Sequence, residues 1–326
     1  MSNVPELIAR PHNNYFVSQM KDPAHAAGMV RPLLDKRLAE AVKWTEMTLE
    51  PGSYIDEKLR GSESDLLFSV PVSGKPALLY VLIEHQSTPD GLMPLRLLGY
   101  MASIWRAFSE AHPGQKLPAI LPLVLAQCEQ PWPHEATMRS LLDIPEELGG
   151  LIEPMQPLFV HQLLDLARLL PEEIQGTELG ATVLRVMRAA RGENLDELLE
   201  AVLEMAAAAA RVGDAQMRIS ATITYLLAVA PVPAKGVIER MQKLRMPEAL
   251  IQVTMSAAEL LFKEGRQEGR QEGRQEGIAL GEIVGEIRLA QRVLRQAPTP
   301  EDILRGLPMD ELRAMSADLQ KQLLAR

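Results

Sequence analysis

Residues 77–87 read ALLYVLIEHQS, a run of seven apolar residues that ends in a dense polar cluster. A continuous apolar run of this length, bounded by turn residues, is typical of a strand buried on both faces. The polar end of a buried strand is also where α/β proteins commonly place their chemistry. We therefore predict a buried strand here, with a functional site at its end.

The neighbouring segments predict a small α/β core around this strand. Residues 65–72 are apolar and β-prone, and residues 72–76 (VSGKP) supply turn chemistry, so the two runs predict a β-hairpin. Residues 92–108 carry apolar side chains at helical spacing, and residues 119–126 (AILPLVLA) predict another buried strand. Pro122 inside that strand favours a sheet edge or a bulge.

Sequence patterns divide the chain into four regions. Residues 1–150 are predicted to hold the α/β core, with helices over residues 1–60. Residues 151–262 are rich in Leu, Ala and Met, which predicts a helical extension. Residues 263–285 carry a Gly-Arg-Gln-Glu repeat, and residues 286–326 predict a small helical tail.

Two carboxylates converge if the hairpin turns at Gly74 and Lys75. Residues whose numbers add up to 149 then face each other, which sets Asp65 opposite Glu84. Directly opposed Cβ atoms lie about 4.5–5.5 Å apart, so two like charges there favour a bound divalent cation between them. Strand alternation places Gln86 on the same face as Glu84. On spacing alone, the alternative of two solvated carboxylates at strand ends stays open.

Charge and composition limit the choice of partner and compartment. The net charge of −9 opposes nucleic-acid binding, because neutralisation of phosphates supplies most of such affinity. Contact with DNA would then depend on a local basic patch, a metal ion or a partner chain. The lone cysteine, Cys128, fits a reducing cytoplasm. We expect no membrane segment, because no run of about 18 apolar residues occurs.

Several blocks of this sequence resemble the Rpn family of recombination-promoting nucleases, also known as YhgA-like putative transposases. The resemblance extends over roughly residues 10–265, and the IEHQS block at residues 83–87 is its most specific part. The other matching blocks are Pro11-His12 with Tyr15-Phe16, residues 64–68 (SDLLF), Met93, Arg96 and Tyr100, and Leu121-Pro122 before Pro131-Trp132.

The resemblance implies both a fold and an activity. The family is placed in the PD-(D/E)XK nuclease superfamily, which implies a mixed α/β sheet flanked by helices, here followed by a helical C-terminal region. Asp65 matches the motif Asp, and Glu84 and Gln86 match the two ends of its E-x-K or E-x-Q half. The implied activity is cleavage of DNA with Mg²⁺ or Mn²⁺, in which Asp65 and Glu84 hold the metal and Gln86 orients a water.

Other residues are weaker candidates for the site. Glu57 is either a further metal ligand or a solvated helix carboxylate. Arg96 is either a phosphate contact or a surface salt-bridge partner, and His12 is either a substrate contact or a structural histidine. This chain has Asn13 where the family usually has Asp, and Gln86 where the superfamily name has Lys. The alternative function is therefore an inactive family member that acts as a helical interaction or DNA-binding protein.

The repeat at residues 263–285 reads KEGRQEGRQEGRQEGIALGEIVG, with glycine at every fourth position. Each glycine in a helix costs about 1 kcal/mol relative to Ala, and like charges four residues apart repel mildly. We predict a flexible linker or a weakly helical spacer. The alternative is that the glycine stripe lets a second copy approach closely and form a homo-oligomer.

Overall fold

The computed structural model describes residues 10–50, 66–72, 78–135, 137–192, 194–212 and 215–324. Contacts divide the chain into two compact units, Met1–Ala258 and Glu259–Arg326. This division differs from the four regions suggested by sequence pattern. The reason is that helices after residue 150 pack into the same hydrophobic core as the sheet.

The first unit contains a mixed sheet. In the described residues, five strands lie in chain order. They are β1 (Thr48–Leu49), β2 (Leu66–Pro71), β3 (Leu78–Gln86), β4 (Ala119–Ala126) and β5 (Gln162–Asp165). β1, β2 and β3 pair antiparallel, whereas β3, β4 and β5 run parallel. The predicted hairpin strands and the predicted strand at residues 119–126 are thus confirmed.

The register of β2 against β3 matches the prediction. Leu66 faces Ile83 at one end of the described ladder and Pro71 faces Leu78 at the other, so each pair adds up to 149. This register is strongly specified, because a slip of one residue would turn every side chain to the opposite face. The residues of the predicted turn, 73–77, lie outside the described residues.

Helices pack on both faces of the sheet. The α-helices of the first unit are α1 (Pro11–Met20), α2 (Pro23–Val30), α3 (Lys36–Ala41), α4 (Met93–Ala111), α5 (Gly149–Ile152), α6 (Glu178–Ala189), α7 (Leu195–Ala209), α8 (Ala215–Val229) and α9 (Ala234–Lys243). Short 3₁₀ helices span Arg31–Leu33, Trp44–Glu46, Met138–Leu141, Glu146–Leu148, Glu153–Met155 and Pro171–Glu173. α4 connects the parallel strands β3 and β4, which cannot be joined by a tight turn.

Each face of the sheet has its own hydrophobic core. The larger core takes Phe68, Val81 and Ile83 from the sheet and packs them against α1, α6, α7 and α8. The smaller core takes Leu67 and Val124 from the other face and packs them against α4. Successive side chains of β2, β3 and β4 therefore point alternately into two apolar cores, which explains the nearly continuous apolar sequence of these strands.

Two strands were not expected from the sequence. β1 has two residues, and β5 (QLLD) falls in the region predicted to be helical, so that expectation is wrong there. Neither segment is long enough to display a two-residue hydrophobic period. β5 pairs with β4 from Leu123 onward, so Pro122 precedes this ladder and its missing N–H costs no bond to β5.

The second unit is helical, as predicted for the C-terminal region. It comprises the latter part of α10 (Glu248–Val293) with α11 (Glu301–Gly306) and α12 (Met309–Leu324). Its core contains Val284, Ile287, Ala290, Leu304, Leu312 and Leu319. The Arg288 guanidinium lies 2.7 Å from the Glu301 carboxylate and joins α10 to α11.

The glycine repeat is helical throughout, because α10 runs without a break from Glu248 to Val293. Of the two states predicted for this segment, a flexible linker and a helical spacer, the structure has the helical one. Nucleation is the costly step in helix formation, whereas extension of an existing helix adds one hydrogen bond for each residue. Apolar contacts order α10 on both sides of the repeat, near Ile251 and near Ile287, so the helix extends through the glycines.

Among the described residues, no single helix is both long and apolar enough to cross a membrane. Only α8 and α9 taken together, which are bent by 118° at their junction, meet that length and composition.

Ile83 tests how far the fold depends on β3. Its side chain is 0% exposed, so Ile83→Ala should lower the free energy of unfolding by about 2–5 kcal/mol, through lost burial and the cavity left behind. Leu95→Ala is the control, because Leu95 on α4 is 50% exposed. Urea unfolding at constant pH measures both. Equal losses for the two variants would contradict a buried central position for β3.

Candidate active site

The carboxyl ends of three parallel strands meet at one edge of the sheet. Gln86 of β3 pairs with Ala126 of β4, and Ala126 pairs with Asp165 of β5. Side chains at paired positions share a face, so Gln86, Ala126 and Asp165 form a row across the sheet, with the small Ala126 at its centre. Such an edge is where open parallel sheets commonly bind ligands.

The predicted metal ligands are only partly within the described structure. Asp65 and Glu57 lie outside the described residues. The backbone of Glu84 lies in β3 and pairs with Val124, whereas its side chain is outside the description. Among the described residues, no group of three His, Cys, Asp or Glu side chains is arranged to hold a metal ion. The Asp65–Glu84 metal pair therefore stays a prediction.

Gln86, the third predicted residue, is described in full. It ends β3 and is buried, with 8% of its surface exposed. The odd-numbered neighbours Val81 and Ile83 face the larger core, so strand alternation puts positions 84 and 86 on the opposite, α4-facing side. Gln86 thus lies at the end of β3, as the sequence predicted, and its role in the site stays a prediction.

Arg96 lies in the first turns of α4, just beyond the loop that follows β3. Its Nη1 is 3.2 Å from Asp90 Oδ2, and both side chains are slightly more than one quarter exposed. Asp90 Oδ1 also accepts the Leu92 backbone N–H at 2.8 Å. Arg96 therefore has the salt-bridge partner that the sequence offered as the alternative, and its contact with substrate stays a prediction.

A buried polar network lies on the other face of this strand end. His85 Nε2 is 3.0 Å from Gln127 Oε1. Gln127 directly follows β4, is 0% exposed, and donates through Nε2 to the Met187 carbonyl at 2.6 Å and to the Tyr225 hydroxyl at 2.8 Å. The Tyr225 hydroxyl lies 2.8 Å from His12 Nδ1. The network thus joins β3 and β4 to α1, α6 and α8.

One assignment of hydrogens satisfies this network. The Gln127 amide cannot be reversed, because Oε1 would then face the carbonyl oxygen of Met187. Oε1 only accepts, so His85 donates from Nε2. Gln127 supplies its hydrogens to Met187 and Tyr225, and the Tyr225 hydroxyl donates to Nδ1 of His12. His12 is therefore neutral, because its Nδ1 accepts, whereas a donating Nε2 fits either protonation state of His85.

The pKa values agree with neutral histidines. Burial, with a further contribution from the Arg191 charge, lowers the pKa of His12 to about 3. Burial likewise lowers the pKa of His85 to about 4, although the hydrogen bond that His85 donates to Gln127 opposes the shift. The His85 ring also stacks on Phe16, with ring centroids 5.2 Å apart. His12, predicted to contact substrate, here contributes to the interior, and its contact with substrate stays a prediction.

Arg191 links the ends of β3 and β4. Its Nε donates to the Gln127 carbonyl and its Nη2 to the Ser87 carbonyl, both at 2.8 Å. A cavity of about 170 Å³ opens beside it, lined by Gln127, Cys128, Glu129, Leu166, Ala167, Arg188, Ala189, Arg191, Gly192 and Glu197. Arg191 thus binds two strand-end carbonyls at the edge that carries Gln86.

Sequence reasoning missed Gln127, Tyr225 and Arg191. Gln127 gives a weak signal, since it is a polar residue at the end of an apolar strand. Tyr225 lies within an apolar helix and Arg191 follows another helix, so neither could be assigned from pattern. Each partner is separated from the others by more than 30 positions in the chain, and tertiary packing alone brings them together.

A comparison with known families adds to this geometry. Residues 10–217 match the family described as "Putative transposase, YhgA-like". The chain belongs to this family. The match covers more than half of the 326 residues and confirms the resemblance carried by the IEHQS block. It includes every strand of the sheet and both histidines of the buried network.

Curated relatives of this YhgA-like chain are named nucleases. Recombination-promoting nuclease RpnC of Escherichia coli (strain K12) is 29% identical over 182 residues, which are 52% of this chain and 60% of RpnC. Recombination-promoting nuclease RpnA of the same strain is 27% identical over 315 residues, which are 94% of this chain and 97% of RpnA.

Not every relative of this family member is named as active. Inactive recombination-promoting nuclease-like protein RpnE of Escherichia coli (strain K12) is 27% identical over 189 residues, 54% of this chain and 62% of RpnE. No solved structure is significantly similar to the chain. The family is therefore a nuclease family that includes members described as inactive.

The buried histidines predict a loss of stability in acid. An unfolded histidine titrates near pH 6.5, above the folded pKa of His85, so the unfolded state gains the proton first. For each such histidine the stabilisation is complete above about pH 6.5 and falls by up to about 1.4 kcal/mol per pH unit in acid, down to about pH 4 for His85. Urea unfolding at pH 7.5, 6 and 5 should show the summed slope, and His85→Gln should reduce it by the contribution of one histidine. An unchanged slope in His85→Gln would contradict a neutral, buried His85.

Proposed function

We propose that this chain is a metal-dependent DNA endonuclease that promotes recombination, with a PD-(D/E)XK-type core. The observation that carries the proposal is the β2–β3 register, in which Leu66 faces Ile83. Asp65 precedes Leu66 and Glu84 follows Ile83, so the same register, carried one residue further, would set the two acids opposite each other. Relatives named recombination-promoting nucleases support the same activity.

Asp65 and Glu84 would hold Mg²⁺ or Mn²⁺, and Glu57 would be a further ligand. Hard divalent cations prefer carboxylate oxygens, and the proposed donor set fits that preference. Bound there, the metal would polarise a phosphate oxygen and make water more acidic. Arg96 and His12 would contact the substrate.

Gln86 would orient the attacking water. Its amide both donates and accepts hydrogen bonds, and it does not titrate, so it cannot act as a general base. In the reaction, an oxygen of water bonds to phosphorus and a P–O bond to the sugar breaks. The products are a phosphate monoester and a sugar hydroxyl. The buried position of Gln86 at the strand end supports an orienting role.

DNA is the proposed substrate and the glycine repeat is the proposed site of self-association. The net charge of −9 means that affinity for DNA would rest on the metal and on local cations such as Arg96. On α10, ideal Cβ atoms added at Gly265, Gly269 and Gly277 would meet nothing within 4 Å. This open face supports the approach of a second copy.

An inactive interaction protein is the second candidate function. RpnE, a relative of similar identity, is named inactive. Asn13 and Gln86 depart from the family and superfamily patterns, and the chain is acidic. These observations favour a member that binds partners or DNA without cutting.

Plasmid cleavage separates these two functions. Purified protein should nick or linearise supercoiled plasmid with Mg²⁺ or Mn²⁺, and EDTA should stop it. Asp65→Asn and Glu84→Gln keep the side-chain shape but lose the charge, and should each lower the rate at least ~100-fold. Glu110→Gln, an exposed acid on α4, is the control and should cleave like the wild type. No cleavage by the wild type with several metals and DNA forms would favour the inactive protein.

Gln86 can be tested separately from the metal ligands. Gln86→Leu should lower kcat by roughly 10- to 100-fold, because a poorly placed nucleophile loses that much rate, and should leave the midpoint of Mn²⁺ activation within a few-fold. Gln115→Leu, an exposed residue after α4, is the matched control. A Gln86→Leu enzyme with wild-type kcat would remove Gln86 from the proposed reaction.

A further inference from the structure

The side chain of Gln127 is surrounded on all sides by protein. It is 0% exposed and bonds to His85 of β3, to the Met187 carbonyl of α6 and to Tyr225 of α8. Its Nε2 also lies 3.2 Å from His12 Nδ1. Three elements outside the sheet thereby converge on one amide at the carboxyl end of β4.

His85 connects this amide to the proposed catalytic residues, since it lies between Glu84 and Gln86 in β3. In a strand, successive side chains point to opposite faces, so the direction of one side chain fixes the direction of its two neighbours. The hydrogen bond to Gln127 and the stacked Phe16 ring hold His85 on the core side. They therefore set the direction in which positions 84 and 86 face.

The strand end especially needs such support. β3 ends at Gln86, and beyond it the chain enters the loop before α4. The backbone bond from Gln127 N–H to the Gln86 carbonyl, at 2.7 Å, closes the ladder there. The side chain of Gln127 then bonds to His85, one residue back, so that a single residue holds the last two positions of β3.

We infer that Gln127 and Tyr225 are positioning residues for the proposed cleavage reaction. They hold His85, and through it the end of β3, in the geometry that the reaction needs. This inference rests on the proposed nuclease function. The described side-chain hydrogen bonds of both residues lie on the core side of β3, opposite to positions 84 and 86.

Stability alone does not account for these residues. Replacing both partners of a buried polar pair by apolar groups of similar shape is often neutral, whereas removing one partner is costly. Here a buried amide, a buried phenol, the buried His85 and the partly buried His12 lie together behind one strand end. Directional hydrogen bonds specify a unique arrangement, which apolar contacts do not.

Two stacked tyrosines provide a matched pair for the test. Tyr15 and Tyr225 are both 0% exposed and their ring centroids lie 4.3 Å apart. The Tyr225 hydroxyl binds Gln127 and His12, whereas the Tyr15 hydroxyl binds Thr222 at 3.0 Å. Replacement of either by Phe removes one buried hydroxyl, and only Tyr225→Phe removes a bond to Gln127.

The experiment measures kcat, KM and melting temperature for both variants, with an Mn²⁺-activated cleavage assay on a fluorogenic DNA duplex. Both variants should lose a similar few degrees in melting temperature. Tyr225→Phe should lower kcat about 10-fold with KM within about twofold, because small misplacements of reacting groups reduce the rate more than binding. Tyr15→Phe should keep the wild-type kcat.

Gln127→Met provides the second test, because it keeps the length of the side chain and removes both the donor and the acceptor. It should lower kcat more than Tyr225→Phe does. If Gln127→Met does not fold, the tyrosine pair still decides.

The outcomes separate the inference from the proposed function. Cleavage by the wild type with equal kcat in the two tyrosine variants would overturn the inference and leave the nuclease intact. No cleavage by the wild type would reject the nuclease, and the positioning role with it.

Discussion

Burial of β3 on both faces is the constraint on which the first unit depends. Every backbone N–H and C=O in such a strand needs a partner, since water cannot reach it. β3 meets this demand with antiparallel β2 on one side and parallel β4 on the other. The antiparallel pairing sets which residues face each other across the hairpin. The parallel pairing requires α4 as a crossover and places Gln86 beside Ala126 at the carboxyl edge.

The same strand carries polar residues into the interior, and this shapes the helical layer behind it. His85 and Gln127 are desolvated, so each must find partners inside the protein. His85 bonds to Gln127. Gln127 in turn donates to Tyr225 and Met187, which belong to the region after residue 150. This requirement gives a physical reason for helices that are remote in sequence to share one unit with the sheet. It also accounts for two neutral histidines in a position where a charge would be costly.

The second unit follows a different physical rule. Its repeat has poor helix propensity and residues 263–277 lack apolar side chains, yet the whole repeat lies within one uninterrupted helix. The residues that flank the repeat stabilise the helix, because Ile251 and Ile287 are buried in separate cores. Intrinsic propensity is a weak guide when both neighbours are already helical. The glycines then leave an open surface along α10, as the added Cβ positions at Gly265 and Gly277 indicate.

The sequence by itself determined the hairpin, its register, α4, β4 and the family, because these depend on local hydrophobic periods, turn residues and one specific motif. It also predicted Gln86 at the strand end. It could not predict β5, which is too short to show a period, or the helical state of the repeat, which depends on its neighbours. Only the tertiary structure decided which residues hold His85, because Gln127 and Tyr225 are 98 positions apart. Contacts at that distance arise from packing of whole elements, and no local pattern records them.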